Sequence, residues 1–259
     1  MTNAPAAGHA LAVLRLLARH TEPVPASAIA RDLDLPRSSV YHLLTVLCGQ
    51  GFVVHLPEER RYGLGVAAFE LGSAYTRQAP LQRLARQPML RLVDATGHNA
   101  HLAVLHGRDV LYVIEERAPS RPPLVTDVGV RLPAQLTASG LAMLASLPPQ
   151  QVRALFPSKD AFVQRHDSDP TGPSGPTTLS GLRSLLSRVR QDGFAMEDGT
   201  VTRDFASVAA AVHDHSGYPV AGIAVTYPAA EVSDDLRRAI AQDVIQTAAE
   251  LTRRVRGRP

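Results

Sequence analysis

The chain has 259 residues, enough for two domains or one large one. A formal net charge of +3 is too mild to mark a nucleic-acid partner by itself, and 45% hydrophobic residues can build ordinary cores, while no apolar run approaches a membrane span. The one cysteine, Cys48, excludes an internal disulfide and a Cys-rich metal cluster and fits a reducing cytoplasm, and the apolar N-terminal segment lacks the basic region of a secretory signal.

Among the 27 Lys and Arg residues, Lys159 is the one lysine. With abundant Ala, Pro and Gly this reads as the codon bias of a GC-rich genome. Placement, not number, must then decide which arginines matter.

Residues 7–20 carry Leu11, Leu14 and Leu17 at a three-residue step, which predicts a first helix. PASAIARDLDLP, residues 25–36, predicts a short second helix with Ile29 and Leu33 four apart. After the break at Asp34-Leu35-Pro36 a third helix opens, and Pro36 suits its first turn, where a missing N–H costs nothing. Val40, Leu43, Leu44 and Leu47 form its apolar face. The opposite face holds Ser38, Tyr41, His42 and Thr45, with Arg37 at its start and no acid. Gly49-Gln50-Gly51 is a natural stop. Phe52–Leu56 and Arg60–Leu64 read as strands joined by a turn at Pro57-Glu58-Glu59. Residues 66–79 return to helical spacing through Val66, Phe69 and Leu71.

Three helices followed by a hairpin is the order of a winged helix-turn-helix, whose reading helix sets its N-terminal residues at base edges in the major groove. Ser38, Ser39 and Thr45 are short side chains that can meet bases or phosphates, and Tyr41 and His42 can reach phosphates. Arg37 sits where it can meet either, and Arg60 and Arg61 mark the hairpin tip, against a minor groove or the backbone. A polar helix face can equally be only a solvated one. The missing acids and the order of elements favour the functional reading. Residues 1–78 contain seven Arg against six Asp or Glu, so binding must depend on where charge sits and on having two copies, with moderate salt dependence.

From residue 80 the pattern changes. LQRLARQPMLRLVDATG predicts a helix ending at Gly97, and NAHLAVLHGRDVLYVIEE a hairpin turning at Gly107-Arg108-Asp109. Residues 137–147 predict a helix capped by Thr137. HDSDPTGPSGPT (166–177) reads as a polar loop, and TLSGLRSLLSRVRQDGF as an amphipathic helix. Strands follow around Ser207–Val212 and Val220–Tyr227, then a last helix from a Ser233 cap through Leu236, Ile240, Val244, Ala248 and Leu251.

LPRSSVYHLLTVLCGQGFVV followed by RRYGLGVAAFELG resembles the DNA-binding half of the IclR family of bacterial transcriptional regulators. His42 departs from the pattern, the family often carrying Arg there. The resemblance continues through VGVRLPAQLTASGLAMLASL, RQDGFAMEDG and SVAAAVHDHSGYPVAGIAVTYPA. It implies an α+β chain: a winged helix-turn-helix at 1–65, a linker helix at 66–79, and at 80–259 a GAF-like effector domain with a curved antiparallel sheet. Matching pocket positions are Ala138, Ser139, Glu197, Phe205, Ser207, Ala224 and Thr226, with Arg121 as a partner for a carboxylate. A helix N-terminus at Ala138-Ser139-Gly140 independently suits an anion. For each small residue the bland alternative is core packing.

The implied function is a cytoplasmic, ligand-responsive regulator, a repressor or an activator, acting as a homodimer or dimer of dimers on operator DNA. Its effector would be a small organic or aromatic acid. The rivals are an enzyme using the second domain and a constitutive DNA-binding protein. No cofactor, metal or membrane partner is expected. His98 and His101 fall on opposite strand faces, and neither G-x-S-x-G nor a Gly-rich phosphate loop is present in context.

Overall fold

Apolar side chains three and four residues apart close the first core. Val13 and Leu17 come from α1 (Pro5–Leu17), Ile29 and Ala30 from α2 (Ala26–Asp32), and Val40, Leu44 and Leu47 from α3 (Arg37–Gly49). The computed structural model describes residues 4–78, 80–119, 121–122, 124–164 and 175–256. It divides into two compact units, Met1–Ala79 and Pro80–Pro259. Most of the loop expected at 166–177 lies outside the described residues.

Strands β2 (Val53–Leu56) and β3 (Arg61–Leu64) form the wing, with Val53 opposite Leu64 and Leu56 opposite Arg61. A third strand was not foreseen. β1 (Val24–Pro25) pairs with β3, giving the order β1-β3-β2. Two residues, one of them Pro, carry no periodicity, so only the partner strand reveals β1. Two boundaries also shift. Pro36 is the residue before α3, extended at ψ 139°, and its carbonyl accepts from Val40 N–H at 3.1 Å. Arg60 belongs to the wing turn, not to a strand, with φ at +53°.

The base of the wing explains the glycines around Tyr62. Gly65 N–H donates to the Phe52 carbonyl at 2.8 Å, and Ala67 N–H to the Gly51 carbonyl at 3.1 Å. A Cβ on Gly65 would run into the Gly51 carbonyl. The chain then enters α4 (Val66–Gln78).

The second unit is a six-stranded antiparallel sheet of order β6-β5-β4-β9-β8-β7. Its strands are β4 (Asn99–His106), β5 (Asp109–Glu116), β6 (Arg131–Pro133), β7 (Ala195–Asp198), β8 (Phe205–His213) and β9 (Pro219–Pro228). Alternation along β8 sorts its two faces. Ala206, Val208, Ala210 and Val212 join the core shared with α5 (Pro80–Thr96) and α9 (Asp234–Val255). Ala209 and Ala211 face α6 (Ala138–Ser146), α7 (Pro149–Leu155) and α8 (Leu179–Asp192). Of these helices, the short α7 was not anticipated, nor was strand β6. The Thr137 cap forms as expected, its hydroxyl accepting from Gly140 N–H at 3.0 Å, and Ser233 caps α9 in the same way at 3.3 Å. Leu236 does not join the core, being 45% exposed in the first turn of α9.

Two close backbone approaches seat α6. A Cβ on Gly140 would collide with the Ala134 backbone. One on Gly222 of β9 would lie 2.8 Å from the Ser139 carbonyl oxygen and 3.1 Å from its Cα. Gly222→Ala should therefore lower the stability of the second unit by about 1–3 kcal/mol, the cost of overpacking a rigid contact. Chemical denaturation followed by circular dichroism would show it; an unchanged midpoint would mean that α6 shifts freely.

Candidate functional site

On α3 the exposed polar side chains are Arg37, Ser38, Ser39, Tyr41, His42 and Thr45. No acid and no side-chain cap occupies its first turn, so the orphan N–H groups there remain open to an anion. Thr45 Oγ1 donates to the Tyr41 carbonyl at 2.9 Å, which leaves the hydroxyl to act outward as an acceptor. Val46 is 53% exposed beside Thr45 and His42. An exposed valine at this place is suited to a thymine methyl group, a contact that a search for polar residues passes over.

At the wing the two arginines separate. Arg60 is exposed in the turn. Arg61 points back to the body, its Nη1 donating to the Pro23 carbonyl at 3.0 Å and lying 3.9 Å from Glu22 Oε2. That hydrogen bond ties β3 to the segment ahead of β1, so Arg61 departs from its expected place at the tip.

In the second unit a gap opens on the α6 side of the sheet. Ala138 and Ser139 form its rim at the start of α6, and Glu197, Phe205, Ser207, Ala224 and Thr226 line it from β7, β8 and β9. These are seven of the eight positions singled out in the sequence. The eighth, Arg121, is elsewhere: its Nη1 pairs with Glu231 Oε2 at 2.7 Å and its Nε donates to the Gly97 carbonyl at 3.2 Å. Among the described residues lining the gap there is no Lys or Arg. The gap measures about 360 Å³ with its mouth, yet its side chains crowd it so closely that there is room for about one water inside. A ring-sized ligand must therefore displace side chains, and half-buried Phe205 is placed to yield.

Sequence reasoning missed His101, Tyr112, Thr126 and Thr137, which also line the gap. His101 reaches it because β4 pairs with β9, which puts it opposite Ala224. His101 Nε2 is 2.8 Å from Thr126 Oγ1 and 3.7 Å from Glu115 Oε1, while Nδ1 is buried without a partner. Ser139 Oγ is likewise buried and unpartnered. A strand histidine flanked by apolar residues gave no signal that it would line a gap.

Two carboxylates with opposite surroundings flank this site. Burial raises the pKa of Glu197, and four hydrogen bonds only partly offset it: from Ser207 Oγ at 2.7 Å, Thr200 Oγ1 at 2.8 Å, Thr200 N–H at 3.2 Å and the Val201 backbone. Burial also pushes Glu115 upward, but His101 and Arg117, whose Nη2 lies 2.7 Å from its Oε2, outweigh that and hold it at about 2.

A winged helix-turn-helix joined to an antiparallel sensor-type sheet defines the class of a DNA-binding transcriptional regulator. The chain belongs to the IclR family of bacterial transcriptional regulators. Residues 6–57 match the IclR helix-turn-helix domain, and residues 73–253 match the bacterial transcriptional regulator IclR C-terminal domain. The chain is similar to the acetate operon repressor of Salmonella typhimurium, with 25% identity over 93% of this chain and 86% of that one. It is 30% identical to the glycerol operon regulatory protein of Streptomyces coelicolor over 84% of this chain and 82% of that one. An IclR regulator from Alicyclobacillus acidocaldarius shares the fold at a TM-score of 0.83 and 21% identity, over 98% of this chain and 99% of that one. An IclR homologue from Microbacterium hydrocarbonoxydans, solved with 4-hydroxybenzoate, does so at 0.78 and 20%, over 97% and 99%.

The two carboxylates should titrate stability in opposite directions. Glu115 sits below the ordinary carboxylate value of about 4.3, so its stabilisation is present at neutral pH and lost as pH falls through about 2. Glu197 sits above that value, so its contribution is full in acid and lost as pH rises through its folded pKa. Relative to wild type, Glu115→Gln should be most destabilised near neutrality and Glu197→Gln least. Urea midpoints between pH 3 and 8 test this; parallel profiles for the two variants would refute it.

Proposed function

We propose that this chain is a sequence-specific repressor, acting in the cytoplasm as a homodimer, whose hold on operator DNA is altered by a small organic acid. The observation that carries the DNA reading is the exposed, acid-free face of α3, which ends in an open helix N-terminus beside Arg37. Arg37, Ser38 and Ser39 meet base edges and phosphates at that end; Tyr41, His42 and Thr45 extend the contact along the groove. Arg60 follows the adjacent backbone from the wing.

Dimerisation is supported by apolar surface on the first unit. Val66 is 67% exposed, Phe69 74% and Leu71 63% on α4, and Leu11 on α1 is 54% exposed. Covering such a surface with a second copy presents two reading helices to a two-fold related site.

In the second unit the acid's carboxylate takes the α6 N-terminus. Gly140 N–H goes to the Thr137 side chain and Leu141 N–H to the Thr137 carbonyl, so the N–H groups of Ala138 and Ser139 lie ahead of the helix ladder. Ser139 Oγ adds a donor already desolvated and unpartnered. Glu197 would accept a hydrogen bond from a ligand hydroxyl, and Phe205 would cover an aromatic ring. With no guanidinium among the described residues lining the site, a single carboxylate suits it better than two. Ligand then shifts the balance between DNA-binding arrangements by its differential affinity for them.

The test is selection of duplexes from a random pool by the full chain, followed by mobility shift with and without 4-hydroxybenzoate and a panel of aliphatic acids. Arg37→Ala should weaken operator binding by about 1–3 kcal/mol. An unchanged affinity would remove Arg37 from the interface. Ser139→Phe should leave DNA binding intact and abolish release by any acid that acts on wild type. A variant still released by that acid would move the pocket elsewhere.

A further inference from the structure

The seam between α3 and the wing carries two side chains that the DNA-binding reading has not used, His55 and Tyr62, beside Tyr41, which it has. His55 of β2 lies directly across from Tyr62 of β3. Their rings stack with centroids 4.5 Å apart and planes 22° from parallel. Val53, two residues before His55, is buried, so His55 stands on the face of the wing that turns toward the helices. Tyr62 is half-buried against the helical core, whereas His55 is exposed. Tyr41 of α3 is 54% exposed and shares a helix face with Cys48, seven residues on, which packs with Tyr62 against the helical core; burial raises the Tyr62 pKa, and Tyr41 and Cys48 raise it further. No hydrogen bond to another described residue engages the His55 ring, the Tyr62 hydroxyl or the Tyr41 hydroxyl. Arg61, between Tyr62 and the turn, faces away toward Pro23.

We propose that Tyr41, Tyr62 and His55 form a seat for one DNA phosphate at the junction of reading helix and wing. The proposal rests on the DNA-binding reading above. With α3 in a major groove and the wing over the neighbouring minor groove, one strand of the backbone has to pass between them, over this seam. Two hydroxyls and an imidazole N–H are donors suited to phosphate oxygens. The cross-strand stack holds the imidazole in place before DNA arrives, so little side-chain freedom is left to lose on binding. A nearly neutral unit gains from such contacts, because they position the duplex without adding net charge. The glutamates nearest in sequence, Glu58 and Glu59, occupy the wing turn beyond the stack.

The experiment uses the full chain and a duplex that the wild type enriches from a random pool. Affinities are measured by fluorescence anisotropy, and phosphate contacts by ethylation interference. Tyr41→Phe and Tyr62→Phe each remove one oxygen and keep the rings, and His55→Ala removes the imidazole. Each should weaken binding roughly two- to tenfold, the value of one hydrogen bond. In wild type, ethylating one phosphate per half-site, flanked by the two groove contacts, should block binding. In the Tyr41→Phe/His55→Ala double variant, ethylation there should no longer matter. Unchanged affinity in all three single variants would overturn the proposal. So would weaker binding with the interference pattern intact, because the residues would then act only through the fold. If the wild type enriches no duplex, the DNA-binding reading itself falls, an outcome distinct from the other two.

Discussion

The N-terminus of α6 rests backbone to backbone on β9, and the gap beside it follows from that contact. Gly222 lets the Ser139 carbonyl come within the space a side chain would fill, and Gly140 does the same against Ala134. With the helix end pressed down in this way, Ala138 and Ser139 line a gap together with His101, Glu197 and Thr226. A larger residue at either glycine would lift the helix off the sheet and move every donor with it. Small residues here reflect a packing constraint first, and the pocket is its consequence.

The polar groups around the gap differ in how far they are committed. Glu197 is satisfied by Ser207 and Thr200, and Ser207 in turn lies 3.0 Å from Thr226 Oγ1. Glu115 is held by Arg117 behind His101. Those networks fix their members in place. Ser139 Oγ and His101 Nδ1, by contrast, are buried without partners, a cost that a ligand's acceptor or donor can remove. Unsatisfied polar atoms thus lie both at the helix rim, in Ser139, and on the strand side, in His101 of β4 and at Oε1 of Glu115 of β5.

The first unit works under another constraint. Its charges nearly cancel, so long-range attraction to DNA is weak. On the DNA-binding reading proposed above, recognition falls to short contacts along α3 and the wing, where the close approach of Gly65 and Gly51 sets the strand positions. Arg61 shows that an arginine's place in sequence does not fix its use, since here it secures β3 to Pro23.

Periodicity made most of the regular elements legible: Val40, Leu44 and Leu47 mark the buried face of α3, whereas the Ala- and Val-rich β8 reads as a strand and the structure sorts its two faces. Pattern resemblance placed Ala138, Ser139, Glu197, Phe205, Ser207, Ala224 and Thr226 together, and the structure brings these seven to one gap. Strand β1 was not legible, because two residues have no period and take their identity from β3. Arg121 was misplaced because an arginine reaches far, and Glu231, 110 positions away, captures it. His101 and Tyr112 joined the site only through pairing of β4 with β9 and β5. The sequence by itself determined the apolar faces and the helix start and stop signals, which are local properties of neighbouring residues. Only the tertiary structure decided which cation pairs with which carboxylate and which buried polar atom is left unsatisfied, because those depend on distances between chain segments that no local pattern encodes.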